Sequence, residues 1–217
     1  MLWDNWPKRF EAALQACAHL KGECQELIVT PPAAAQQVEE VEAKLGQPLP
    51  ESFRSVLLNF SAHVEVGWKL PNDVVRPEVF RDIFRGDCRW NSARLIDLEE
   101  ERLSWIKHCY PNLDDPYDRL WHNKLAFLDV YNGDMLALDL DLAAAPVVYL
   151  SHDGSDFHGT LLGKNFADFI ERWSLIGLAG AEDWQFEPFV STRSEGLEPH
   201  GHHASQWRDW FGLRVDL

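Results

Sequence analysis

The segment LAFLDVYNGDMLALDL, residues 125 to 140, restricts the fold of this chain more than any other stretch. Asn132-Gly133 between two apolar, strand-forming runs is the strongest short-range hairpin signal, and a two-residue loop there takes type I′ geometry. On the second strand Leu136, Leu138 and Leu140 face one way, and Met135, Ala137, Asp139 and Asp141 the other. That alternation predicts a sheet with one buried and one solvated face. APVVYLS and FHGTLLG, up to Gly163, supply two further strands, so the expected unit is an antiparallel meander. Asn165 then caps a helix in NFADFIERWSLIG, with Phe166, Phe169, Ile170 and Trp173 on its buried side.

Helices are expected around this sheet. Val38, Val41 and Leu45 recur at helical spacing, as do Leu49, Phe53, Val56, Leu57 and Phe60. Between them LGQPLPESF forms a corner, with Gly46 as helix C-cap and Pro50 in the next first turn, followed by Glu51 where the helix dipole favours an acid. Trp6, Phe10, Leu14 and Cys17 mark an N-terminal helix with Pro7 near its start, and TPPAAAQQ is a stiff connector after it. HVEVGWKLP alternates Val64, Val66, Trp68 and Leu70 with polar residues and reads as a strand. Residues 72 to 95 are irregular, with a short strand at Cys88 and Trp90. IDLEEERLSWIKHCY is helical, with Asp97 as N-cap. Beyond Gly177 the chain is rich in Gly, Pro and His but carries Trp184, Phe186 and Phe189 and closes on SQWRDWF. Disordered tails are poor in aromatics, so this extension is expected to pack back on the core.

Thirty-five acidic residues against 20 Lys and Arg give a net charge of −15. Such a surface repels nucleic acid and anionic membranes and favours a basic partner. No apolar run approaches the roughly 20 residues of a membrane helix, and MLWDNWPKRFEAAL has no signal-peptide core, so a cytoplasmic protein is expected. Cys17, Cys24, Cys88 and Cys109 match no zinc spacing and are expected as free thiols.

EAKLGQPLP, PESFRSVLLNF, GDMLALDLD, PVVYLSHD and NFADFIERW, taken in that order, resemble the SUKH superfamily, which includes fungal cell-wall-assembly regulators and many bacterial proteins. The resemblance spans residues 36 to 176 and rests most on Gly46, Leu49 and Pro50 of the corner and Gly133, Asp134 and Asp139 of the hairpin. It implies an α+β domain, a mostly antiparallel sheet flanked by helices, with no catalytic site. Many bacterial members are immunity proteins that neutralise toxins deployed against competing cells. Many relatives carry Asn-Gly-Gly after the second helix. This chain reads NFSAHVEVG, with Asn59 in the first position and a different turn after it.

Three clusters carry candidate chemistry. SHDGSDFHG places His152, Asp153, Asp156 and His158 close together, but at no spacing that matches a metal motif. His200, His202 and His203 form a polar tract. Ten tryptophans fall mostly on apolar stripes, with Trp184, Trp207 and Trp210 as exceptions. Between Lys124 and Lys164 there is neither Lys nor Arg, while Asp129, Asp134, Asp139, Asp141, Asp153 and Asp156 are present. These six aspartates are the expected docking face for a basic partner such as a nuclease toxin, because a one-sign field destabilises a bare sheet.

The sequence therefore predicts a SUKH-like domain over 36–176, with a helical N-terminal extension over 1–30 and an aromatic C-terminal extension over 177–217. It predicts non-catalytic binding of a protein partner, with no cofactor and no metal. An intracellular regulatory scaffold is the alternative, and a metal-dependent hydrolase a distant third.

Overall fold

The computed structural model describes residues 2–215, so residues 1, 216 and 217 of the two extensions lie outside the described part. The fold is α+β, with two antiparallel sheets and eight α-helices among the described residues.

In the first sheet β3 (His63–Lys69) is central. Two short strands, β1 (Glu23–Cys24) and β2 (Ile28–Val29), share one of its edges, and β4 (Arg85–Asn91) pairs along the other. Val64, Val66, Trp68, Cys88 and Trp90 point inward and are buried. His63, Glu65, Lys69, Arg85 and Arg89 alternate with them on the outer face. The second sheet is the expected meander, β5 (Lys124–Asp129), β6 (Met135–Asp139), β7 (Val147–Leu150) and β8 (Leu161–Gly163), in sequential order.

Two features of the meander differ from the sequence expectation. Its turn is not type I′. Gly133 N–H donates to Val130 O at 2.9 Å and Val130 N–H to Asp134 O at 2.8 Å, which encloses a three-residue loop, Tyr131–Gly133. Only Gly133 (φ +100°) of these three has positive φ, as in a hairpin closed by a glycine bulge. Nor is either face of the meander solvated. Leu136, Leu138, Val147, Tyr149 and Leu162 join the main core, while Ala126, Met135, Ala137, Val148 and Leu150 form a second buried cluster with Leu98, Tyr110 and Trp121. A bulge between Ala126 and Leu128 turns both Phe127 and Leu128 toward the main core.

The second cluster is roofed by α4 (Leu95–His108) and α5 (Pro116–Trp121). Buried Arg102 of α4 clamps them together. Its Nε and Nη2 grip Glu99 at 2.9 and 2.6 Å, and its Nη1 donates to Trp121 O of α5. Asp97 lies inside the first turn of α4 rather than at the cap, because the helix starts at Leu95 directly from a 3₁₀ turn.

The main core is closed by α1 (Trp6–His19), α2 (Ala35–Leu45), α3 (Glu51–Asn59) and α6 (Phe166–Ser174). Gly46 caps α2 in the left-handed region at φ +71°, and Glu42 Oε1 ties the corner by accepting from Leu49 N–H and Arg54 Nε. Asn165 caps α6, as expected. Arg9 and Trp6 of α1 both donate to the Glu171 carboxylate of α6, at 2.6 and 2.8 Å.

The C-terminal segment packs back through α7 (Asp183–Phe186) and α8 (His202–Phe211). Trp207 stacks on Trp68, Phe211 packs against it at a tilt, and Trp207 Nε1 donates to Ile176 O at 3.0 Å. Of the three exceptional tryptophans, Trp207 is fully buried and Trp184 is 38% exposed. Trp207→Ala is expected to lower the unfolding free energy by about 3–5 kcal/mol. Urea denaturation with an unchanged slope measures this, and a loss below about 1 kcal/mol would make the C-terminal segment peripheral to the core.

Candidate binding surface

The six aspartates divide between the two ends of the β5–β6 hairpin instead of forming one face. Five residues of strand, about 17 Å, separate Asp134 from Asp139. At the open end, the Lys124 ammonium is only 3% exposed and is held by Asp139 Oδ1 at 2.9 Å, Asp141 Oδ2 at 3.0 Å and His122 O at 2.9 Å. Hydrogen bonds from Asn123 and Lys124 lower the Asp141 pKa. These two acids neutralise a buried cation, although Asp141 keeps an exposed edge.

At the turn end, Asp134 is 1% exposed and cannot present its charge to a partner. Four donors saturate it: Tyr149 Oη at 2.5 Å, Asn132 Nδ2 at 2.7 Å, His152 N–H at 2.8 Å and His152 Nδ1 at 2.6 Å. Burial and the Asp134 charge push the Tyr149 phenol well up. Asp129 receives Arg89 at 3.4 Å and Arg94 at 3.5 Å, both from outside the segment that lacks Lys and Arg. Asp153 accepts from Ser151 Oγ at 2.7 Å, which lowers its pKa, and is exposed together with Asp156. The uncompensated field expected of the meander is therefore reduced to the exposed edge of Asp141 and the loop acids Asp153 and Asp156. The physical reason is the roof of α4 and α5, which leaves no solvated face for acids to occupy.

SHDGSDFHG is a structural loop. His158 Nδ1 accepts from Ser151 N–H at 2.9 Å and its Nε2 donates to Tyr117 O at 3.0 Å, which fixes the neutral tautomer. Burial lowers its pKa to about 4. Ser155 Oγ donates to Asp183 of α7, and burial raises the pKa of both Asp183 and its neighbour Glu182. Among the described residues no three His, Cys, Asp or Glu side chains are grouped to hold a metal ion, and the four cysteines are free.

Another surface is the outer face of the first sheet, which among the described residues carries no packed apolar layer. Arg89 pairs there with Asp87, and His63 Nε2 lies 3.1 Å from Glu65 Oε1. Tyr131, at the tip of the hairpin, is 59% exposed and leans across this face, its ring centroid 3.9 Å from the Arg85 guanidinium carbon and 5.1 Å from that of Arg89. Beside it a groove of about 290 Å³ runs over Gly67, between Lys69, Arg85 and Gln25. Sequence reasoning missed this place. Its residues come from β1, β3, β4 and the hairpin, and only strand pairing brings them together; the visible signal was an aromatic residue next to Asn-Gly.

A family model described as the SMI1 / KNR4 family (SUKH-1) matches residues 32–172. The match covers more than half of the chain, and the chain belongs to that family. It takes in the corner, the meander, Gly67, Lys69, Arg85 and Tyr131, and leaves α1, β1, β2 and the C-terminal segment outside. No curated protein matches the chain.

Two outcomes follow from this geometry. Replacing Asp139 and Asp141 together by Ala strands the buried Lys124 charge and is expected to destabilise by about 3 kcal/mol. Asp156→Ala, on an exposed loop, should stay within about 0.5 kcal/mol by the same chemical denaturation. For His158, the unfolded chain takes up a proton near pH 6.5 that the folded chain refuses until about pH 4. Stability is therefore lost as pH falls through that window, by on the order of 3 kcal/mol. Glu182 and Asp183, with raised pKa values, act in the opposite sense, so the check is the difference between wild type and His158→Gln. The variant's stability should fall less from pH 6.5 to 4, and parallel curves would refute the assignment.

Proposed function

We propose that this SUKH-1 chain is a non-catalytic protein-binding domain acting as an immunity protein, which neutralises a cognate toxin by covering its active or substrate-binding surface. The observation that carries this reading is the family match over residues 32–172. The immunity role follows from the resemblance to bacterial members with that function. The state of the polar groups supports it. His152, Asp134, Tyr149 and His158 are the side chains most like a catalytic set, and each is engaged in holding the turn and the β7–β8 loop.

The net charge of −15 suits a basic, nuclease-type toxin. Acids exposed on α4 (Asp97, Glu100 and Glu101) and on the loops (Asp153 and Asp156) raise the rate at which such a partner arrives. Action in the cytoplasm, before a toxin meets its target, fits the absence among the described residues of any helix long and apolar enough to cross a membrane.

The test is capture from the native cells with tagged protein at low and high salt, followed by co-expression. A single stoichiometric basic toxin domain is expected, retained less at high salt, and co-expression of this chain should restore growth to cells making that domain. Capture of ordinary cellular proteins instead would replace the immunity reading with a regulatory scaffold, and no captured protein would overturn binding altogether.

A further inference from the structure

The outer face of the first sheet holds two like charges directly opposite each other. Lys69 of β3 and Arg85 of β4 are cross-strand partners, an arrangement that destabilises a sheet. Neither forms an ion pair among the described residues. Glu23 faces Lys69 across β1 without pairing with it. Glu182 is close enough to feel the Arg85 charge, but its carboxylate is buried and likewise unpaired with it. In a chain with 35 acids and 20 Lys and Arg, two adjacent cations that form no ion pair stand out. Both line the groove of about 290 Å³ above Gly67. Gly67 contributes no side chain to fill it, and a Cβ there would come within 2.5 Å of the Gln25 amide oxygen. Tyr131 stacks on Arg85 at 3.9 Å and so fixes the direction of its guanidinium.

We propose that this groove is a carboxylate-binding site, and that its occupant is an acidic side chain on a loop of the protein partner. Arg supplies a planar fork of donors and Lys three more, which together match a single carboxylate. Glu23 and Asp87, the latter buried and paired with Arg89, also line the groove and oppose a run of phosphates, so a polyanion does not fit. The volume lies at the small end of ligand pockets and takes a side chain rather than an extended molecule. Exposed Tyr131 offers apolar area next to the charged centre, the combination that carries binding energy at interfaces. The wall formed by Glu23 and Gln25 lies outside the family match, so the groove is partly this chain's own addition. The inference rests on the partner-binding reading only for the source of the carboxylate.

The experiment is amide-resolved NMR titration of the full chain with three probes: the peptide Ac-Gly-Glu-Gly-amide, acetate, and Ac-Gly-Lys-Gly-amide. Saturable shifts are expected at Gly67, Lys69, Gly86 and Tyr131 with the glutamate peptide, weaker ones with acetate and none with the lysine peptide. K69Q/R85Q should weaken the glutamate peptide by about ten-fold or more while distant amides stay unmoved. Should the double variant fail to fold, the exposed single change K69Q should still weaken it about three-fold. An absence of saturable shifts, an equal response to the lysine peptide, or unchanged affinity in the variants would overturn the site. Acetate binding as tightly as the peptide would overturn the protein source. A chain that captures a toxin but ignores the peptide refutes this site alone, whereas one that binds the peptide and captures nothing refutes the immunity reading alone.

Discussion

A four-stranded meander that is apolar on both faces sets the layers of this molecule. An antiparallel sheet can leave one face wet only if that face alternates to polar residues. Here Ala126, Met135, Ala137, Val148 and Leu150 occupy the face opposite the main core. Leaving them in water would forfeit roughly 25 cal/mol for each Å² of apolar surface, so a second layer must cover them. The helices α4 and α5 supply it, and buried Arg102 locks the two together through Glu99 and the Trp121 carbonyl. The first sheet and the helices α1, α3 and α6 close the other side, and the C-terminal segment seals it with Phe186, Trp207 and Phe211.

Double coverage decides what happens to charge at the ends of the strands. A polar side chain at the end of a covered sheet has to find its partners within the protein, because burial without them costs several kcal/mol. Asp134 meets this demand with four donors, and Lys124 with two carboxylates and a carbonyl. The same acids, read along the chain, resemble a one-sign field. In space Lys124 takes up Asp139 and Asp141, Arg89 and Arg94 take up Asp129, and Asp134 is buried.

This explains which parts of the molecule were legible in the sequence. Strand and helix identity rested on local periodicity and caps, and these were carried by Gly46, Asn165 and the alternation from Val64 to Leu70. The roof over the meander was not legible, because Met135 and Ala137 share their face with Asp139 and Asp141, and the two acids dominated the reading of that face. Whether an acid at the end of a strand meets water or a buried lysine depends on an element some 20 residues away. The turn was misjudged for a related reason. Asn-Gly fits a two-residue loop, but Val130 and Asp134 pair instead and move the glycine to the bulge position. The groove at Lys69 and Arg85 needed the register of β3 against β4, which no local pattern fixes.

Net acidity and a carboxylate site are compatible because they act over different distances. A net charge of −15 acts on an approaching partner as a summed field, screened over about 8 Å at physiological ionic strength. Such a field changes how often the partner arrives and in what orientation, more than how long it stays. Residence depends on contacts that exclude water, where one aromatic and one or two fixed charges outweigh many rim residues. On the first sheet Arg85 is held by Tyr131 and stands opposite Lys69, and neither forms an ion pair among the described residues. The free chain offsets that repulsion with no direct ion pair among the described residues, and a partner carboxylate supplies one on binding. Part of the affinity then comes from removing a strain already present, and the interaction is selective because a basic side chain in the same groove would add a third like charge.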